Sequence, residues 1–331
     1  MKTATGFELR TQLQSSESRQ FTRGFMDVRV LCPCIRISKK ILHLTLFCMF
    51  FGMFSYAFAR NIQPVVSTDW LEQNLNRPEI TVLDIRTPAR YAKGHIPGSI
   101  NVPASLWAVS QNELSLELPP DETLRDLLGK SGINRSRAVV VVTHMETDFS
   151  RADALRVAWT LILAGVENAA ALDGGIDKWT REKKPLSTEA TIVPPVVYDG
   201  TISRNSLATQ KQVLGRPTSV LLVDTRTPEE YFGILSPEGH ILGAGLAPAP
   251  WLYTSNGSFI PQPVIKGIAE GVFGTDKSRE IIVYCGVGGY AAAWWFVLTQ
   301  ILDYQNVKVY DGSMEEWIKD ANLPVEAYRW N

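Results

Sequence analysis

Short β-branched runs alternate along this chain with stretches of helical spacing. In its first half the runs are Thr81–Asp84, Ser99–Val102, Ala138–Thr143 and Ala169–Leu172, and helices are predicted at Ser67–Leu75, Pro88–Lys93, Asp121–Lys130, Ser150–Ala164 and Ile176–Glu182. Such alternation is the signature of a mainly parallel sheet flanked by helices, an α/β fold. Ser67, Thr68 and Asp69 ahead of Trp70 supply capping side chains, with Glu72 in the first turn.

The pattern occurs twice. VLDIRTPARYAKGHIPGSINVPASLW begins at Val82 and LLVDTRTPEEYFGILSPEGHILGAGLAPAPW at Leu221; each has an apolar strand, Asp-x-Arg-Thr-Pro, an aromatic and a Gly-His-Ile turn. VVVVTH at Val139 then matches IIVYCG at Ile281, and VENAAALDGGIDKW at Val166 matches YQNVKVYDGSMEEW at Tyr304. Each copy has the size of a domain and is too long for a solenoid repeat. The expected boundaries are residues 62–188 for the first domain, 189–203 for a linker and 204–331 for the second. The aperiodic STEATIVPPVVYDG, from Ser187 to Gly200, carries the linker assignment.

The first 59 residues stand apart. Arg29, Arg36, Lys39 and Lys40 precede ILHLTLFCMFFGMFSYAFA, a positive flank, apolar centre and small-x-small ending that predict a cleaved signal peptide and an exported, periplasmic or extracellular protein. The alternative is an uncleaved membrane anchor over residues 41–59. Met26 lies near a conventional signal-peptide start and is the alternative initiation site. Without residues 1–59 the 33 Lys+Arg and 34 Asp+Glu of the chain fall by eight and three, to 25 and 31, a formal charge of −6. That balance argues against nucleic-acid binding. Cys32, Cys34 and Cys48 also fall in this segment, which leaves Cys285 as the one cysteine of the exported chain. An unpaired thiol in an oxidising compartment needs a chemical reason.

Cys285 ends the strand Ile281–Tyr284 and opens the loop Gly286-Val287-Gly288-Gly289-Tyr290, followed by a helix beginning AAAWWFVL. Ligands of parallel sheets collect beyond the carboxyl ends of strands. Glycines let successive N–H groups converge, and with the helix dipole they form an anion nest that favours a thiolate over a thiol. The competing reading, a buried cysteine acting as a small hydrophobe, leaves the glycines unexplained. Trp294 and Trp295 read as core, one of them a candidate to close a cleft between domains.

On these marks, Asp-x-Arg with Gly-His-Ile-Pro-Gly at Asp84–Gly98, its degenerate copy at Asp224–Gly243, the Asp-Gly and Trp patterns at Asp173–Trp179 and Asp311–Trp317, and the Cys285 loop, the chain from about Val65 onward resembles the tandem-domain sulfurtransferases of the rhodanese family. The resemblance implies two rhodanese-like domains, the first catalytically silent, with Cys285 taking a sulfane sulfur from a small thiosulfate- or mercaptopyruvate-like donor. The resulting persulfide would pass its outer sulfur to a thiol, cyanide or sulfite-like acceptor, with no metal or cofactor. Opposite Tyr284-Cys285 the first copy is read as Thr143-His144, so no thiolate is available there, and His144 as a substitute base is the weaker reading.

Two positions depart from the family pattern. Val287 stands where mercaptopyruvate-type members carry serine, and Glu230 where both types carry an arginine. Arg226, Glu230 and His95 are therefore candidates for the cleft, although the recurrence of Asp84/Arg86 as Asp224/Arg226, and of His95 as His240, favours structural roles. No histidines have metal-ligand spacing. Tyr290 closes the loop where cysteine phosphatases need an arginine, which argues against phosphate chemistry. A sulfane-sulfur carrier or thiol sensor without rapid turnover, and a purely structural module, are the alternatives.

Overall fold

The carboxyl ends of two five-stranded parallel sheets set the positions of both loop systems, and the sheets share one strand order. The structure, a computed structural model, describes residues 60–328; the expected signal segment, Met26 and three of the cysteines lie outside them. In the first half β1 (Val65–Val66), α1 (Thr68–Asn74), β2 (Ile80–Asp84), α2 (Pro88–Lys93) and β3 (Ile100–Asn101) lead to a hairpin of β4 (Val109–Gln111) and β5 (Leu114–Glu117). There follow α3 (Asp121–Lys130), β6 (Ala138–Val142), α4 (Asp148–Leu163), β7 (Ala169–Leu172) and α5 (Gly175–Arg181). The second half runs β8 (Leu207–Ala208), α6 (Gln210–Leu214), β9 (Leu221–Asp224), α7 (Pro228–Tyr231), β10 (His240–Ile241) and β11 (Gly245–Leu246). It continues with α8 (Gln262–Phe273), β12 (Ile281–Tyr284), α9 (Gly289–Phe296), β13 (Val307–Tyr310), α10 (Ser313–Trp317) and β14 (Val325–Glu326). The sheets are ordered β1-β7-β6-β2-β3 and β8-β13-β12-β9-β11, the same topology built twice.

Burial on both sheet faces explains the apolar runs: every residue of β6, β7 and β12 is buried. A continuous hydrophobic cluster joins the halves, with Leu155 and Trp159 of α4 in the same core as Val283, Ala292 and Trp295. Trp159 meets Trp295 edge-on at 6.4 Å between centroids. Burying side chains of this size stabilises the fold by about 1.5–3 kcal/mol each. Trp295 thus closes the seam between domains, its indole N–H donating to Val307 O (2.9 Å), while Trp294 packs on Phe273.

The segment from Ser187 to Gly200 has no helix or strand, and it is held to the first domain as a strap. Val196 N donates to Gly129 O (2.9 Å), the Tyr198 hydroxyl to Ala164 O (2.5 Å) and Arg125 Nη1 to Gly200 O (2.6 Å). The β4–β5 hairpin, absent from the sequence expectations, turns through Asn112 and Glu113, both at positive φ, and reaches the second domain. Ser115 N donates to Glu315 Oε2 (2.7 Å) and Leu118 N to Asp311 Oδ2 (3.0 Å). The second domain answers in kind, with Phe259 N donating to Asp173 Oδ1 (2.8 Å). Each Asp-Gly motif therefore anchors a loop of the opposite domain. Among the described residues no helix is long and apolar enough to cross a membrane.

Candidate active site

Cys285 leaves β12 at its carboxyl end and is 2% exposed. The loop it opens is fastened to α10: Cys285 N donates to Ser313 Oγ (3.0 Å), Met314 N to Cys285 O (3.0 Å) and Glu315 N to Gly286 O (3.0 Å). Ser313 Oγ in turn donates to Tyr310 O (2.8 Å). Gly288 caps α9 in the left-handed region, φ +83°, without a capping side chain. A Cβ there would stand 2.8 Å from Arg156 Nη1 and closer still to Asp311 Oδ1, so conformation and space both require glycine. Gly286 is different, since its φ is ordinary and a Cβ would meet nothing within 4 Å.

The backbone N–H groups of Ala291, Val287 and Tyr290 converge on the Cys285 sulfur. Their effect is to favour the thiolate, yet burial is the larger influence and pushes the Cys285 thiol above its ordinary value, with Asp224 acting the same way. The expected nest is present, but in the resting protein it offsets only part of the desolvation. Tyr290, expected to close the loop, lies instead in the first turn of α9; it packs on Phe149 of α4 at 5.8 Å, and its phenol is pushed up to about 12, chiefly by burial.

Sequence reasoning missed the residue that ties the loop to the first domain. Arg156, on α4 and 4% exposed, donates through Nη1 to Asp311 Oδ1 (2.8 Å) and through Nη2 to Leu116 O, and lies close enough to Cys285 to feel its charge. Its Nε has no acceptor among the described residues. Burial also pushes two neighbouring carboxyl groups up to about 7: Glu117 on β5, where the Asp311 charge adds to the effect, and Asp153 on α4. Within RADALRVAW, Asp153 and Arg156 carry only the weak signal of charges inside an otherwise apolar helix.

Of the cleft candidates, His95 is fully buried, stacks on Tyr91 at 3.7 Å and sets its two ring nitrogens 2.9 Å from Tyr91 O and 3.0 Å from Glu189 O. It orders the turn and does not line a cleft. His240 stacks identically on Tyr231. Arg226 is likewise internal, paired with Asp224 (2.6 Å) and donating to Gly239 O (2.7 Å), as Arg86 pairs with Asp84 (2.5 Å) and donates to Gly94 O (2.9 Å). Glu230 closes the capping box of α7 with Thr227, and its charge reaches the Tyr290 phenol. One register is also corrected. Asp84 pairs with Val142 and Asp224 with Tyr284, while Ile176 N donates to Thr143 O as Met314 N does to Cys285 O. Thr143, not His144, therefore occupies the cysteine position of the first copy.

Twin parallel α/β domains with one cysteine cradled by main-chain amides at a strand end define a two-domain protein of cysteine-loop type. The rhodanese-like domain family model matches residues 67–182 and 206–320, and the chain belongs to that family; it is a rhodanese-like sulfurtransferase. It is 31% identical over 279 residues to a putative thiosulfate sulfurtransferase 1 of Mycobacterium bovis, covering 79% of this chain and 97% of that protein. A thiosulfate sulfurtransferase of Corynebacterium glutamicum is 30% identical (79% and 90% covered), as is the sulfur carrier protein TtuD of Thermus thermophilus (79% and 95%). In fold it is similar to the anaerobic ergothioneine biosynthesis enzyme of Chlorobium limicola solved with trimethyl histidine, with TM-score 0.67, 22% identity, and 80% of this chain and 70% of that one covered.

Proposed function

We propose that Cys285 is the sulfur-carrying nucleophile of an exported sulfurtransferase, taking a sulfane sulfur from a thiosulfate- or mercaptopyruvate-like donor and passing it to a thiol, cyanide or sulfite-like acceptor. The observation that carries this reading is the convergence of the Ala291, Val287 and Tyr290 N–H groups on the sulfur. A persulfide places its terminal sulfur one bond beyond Sγ, and the same donors stabilise negative charge as it moves between the two atoms. Val287 offers no proton donor, so the leaving group of the donor molecule departs as an anion or takes its proton from water.

The test is turnover of the purified protein with thiosulfate and with mercaptopyruvate, using cyanide or a dithiol as acceptor. Cys285→Ser is expected to lower the rate by at least about 10⁴-fold. Intact-mass spectrometry of protein exposed to donor alone is expected to find one added sulfur that Cys285→Ser does not acquire. Full activity in that variant rejects the assignment. The deep burial of the sulfur keeps a second reading, a carrier that holds the added sulfur without rapid turnover. Stable loading with negligible cyanide turnover is its signature. Export, proposed from the apolar segment ending at Ala59, predicts a secreted form whose mass begins after that residue.

A further inference from the structure

The same sequence positions surround the strand ends of both domains, and the two copies fill them differently. Arg90 follows Asp84-x-Arg86-Thr-Pro as Glu230 follows Asp224-x-Arg226-Thr-Pro, and Arg181 stands two residues after Trp179 as Lys319 does after Trp317. In the second domain neither position offers a free cation. Glu230 closes the capping box of α7, and Lys319 Nζ donates to Glu113 O (2.6 Å) in the β4–β5 hairpin. The loop that the second domain sends back, residues 253–259, rests instead on Met145 and Arg151, with the Tyr253 hydroxyl donating to Arg151 O (3.0 Å). It leaves Arg181 without an ion pair or hydrogen bond among the described residues.

What remains in the first domain is a cavity of about 680 Å³ beyond the carboxyl ends of β2, β6 and β7, walled by Arg86, Arg90, Lys93, His144, Asp177 and Arg181. Four of these six are cations. The one carboxylate, Asp177, already accepts from Met145 N (2.5 Å). Arg86 is drawn inward by Asp84 (2.5 Å), and Lys93, like Arg181, joins no ion pair among the described residues. Arg90 meets Glu146 at 2.6 Å, but both side chains are exposed, and an exposed pair contributes little, so an arriving anion can displace Glu146. Between them the His144 Nδ1 is buried without a hydrogen-bond partner among the described residues, 3.6 Å from the Glu146 carboxylate.

We propose that this pocket is a second ligand site, separate from the Cys285 loop, and that it binds a small dianionic oxyanion. Sulfur oxyanions and phosphate share that chemistry. The Arg90 guanidinium, released from Glu146, takes two oxygens of the ligand as a fork, and Arg181 and Lys93 supply the further positive charge. Two charges are preferred to one because more than one unpaired cation faces a single carboxylate already engaged with the backbone. The site is independent of the persulfide reading of Cys285, since none of its walls comes from the second domain.

The experiment follows the His144 ring resonances of the purified protein, assigned by their loss in His144→Gln, while sodium sulfate, phosphate or nitrate replaces sodium chloride at constant ionic strength. Sulfate or phosphate is expected to shift them saturably, with half-saturation at least about fivefold below that of nitrate. The tighter of the two names the source of the oxyanion. Arg90→Gln combined with Arg181→Gln is expected to weaken binding at least about tenfold. Glu146→Gln, which removes the competing carboxylate, is expected to tighten it at least about twofold. Cations that only serve the carboxyl ends of α2 and α5 produce neither change. Cys285→Ser is expected to bind as the wild type does. No saturable shift with either dianion, or one that nitrate equals, overturns the proposal even if no variant folds. Undiminished binding in the double variant, weaker binding in Glu146→Gln, or loss of binding in Cys285→Ser overturns it as well.

Discussion

The two strand-end loops begin alike and diverge in what their amides do. In the first domain Thr147 caps α4 with a capping box: Thr147 N donates to Ser150 Oγ and Ser150 N to Thr147 Oγ1, while Met145 N donates to Asp177 Oδ2. Those donors are consumed by side chains before any ligand arrives. In the second domain the cap is Gly288, which has no side chain, and the freed N–H groups of Val287, Tyr290 and Ala291 turn to Cys285. The two copies therefore differ in who satisfies the helix N-terminus as well as in which of them carries a cysteine at the strand end. The first domain reaches the second through α4, whose Arg156 pairs with Asp311 beside the Cys285 loop.

Moving the thiol between copies gives the sharpest break. A Cys285→Ser, Thr143→Cys double variant is expected to remain at least about 10⁴-fold below wild type in cyanide-coupled turnover, since the Met145, Thr147 and Ser150 N–H groups that follow position 143 are already held by side chains. Activity restored by Thr143→Cys removes the cradle from the explanation. Next in size is the cross-domain pair. Arg156→Met leaves Asp311 buried without its cation and is expected to destabilise by about 3–5 kcal/mol in denaturant unfolding, while adding Asp311→Asn recovers part of that loss. No recovery in the double variant means that Arg156 acts through packing alone.

The duplication, both sheets and the place of Cys285 were legible because they depend on local runs and repeated motifs. Ala169–Leu172, Pro88–Lys93 and Asp121–Lys130 were bounded from sequence as they stand in the fold. Arg156 was not legible, because an arginine in an apolar helix gains its meaning from Asp311, 155 residues away. The hairpin at Val109–Glu117 was missed although its Gln-Asn-Glu turn sits between alternating segments; a two-stranded ribbon packed on another domain has too little periodicity to stand out. The Thr143 register follows from aligning whole strands, VVVVTH on IIVYCG, which already sets Thr143 on Cys285 and is one residue off the reading of Thr143-His144 opposite Tyr284-Cys285. His95 and Arg226 looked chemical in isolation, and their stacked and paired geometry in both copies shows that repetition was the better guide.

Within the active loop the glycines separate by geometry. Gly288→Ala is expected to cost about 1–3 kcal/mol and to lower turnover about tenfold or more, because it combines positive φ with a collision against Asp311 and Arg156. Gly286→Ala is expected to stay within about twofold of wild type. Equal damage from both variants shows that the loop tolerates no side chain anywhere, and the distinction fails.

The smallest effect concerns the proton on Cys285. Burial raises its pKa, so at neutral pH the resting thiol is protonated, and deprotonation requires pH above the ordinary thiol range of about 8.5. The alkylation rate with iodoacetamide is thus expected to climb about tenfold per pH unit through neutrality and to keep climbing past about pH 8.5. The sign follows from the neutral form being the one that burial favours. A thiol placed at position 143, as deeply buried but without three converging N–H groups, is expected to titrate higher still. A Cys285 rate that levels off below pH 7 makes the amides the larger influence, and the balance between burial and cradle described here is reversed.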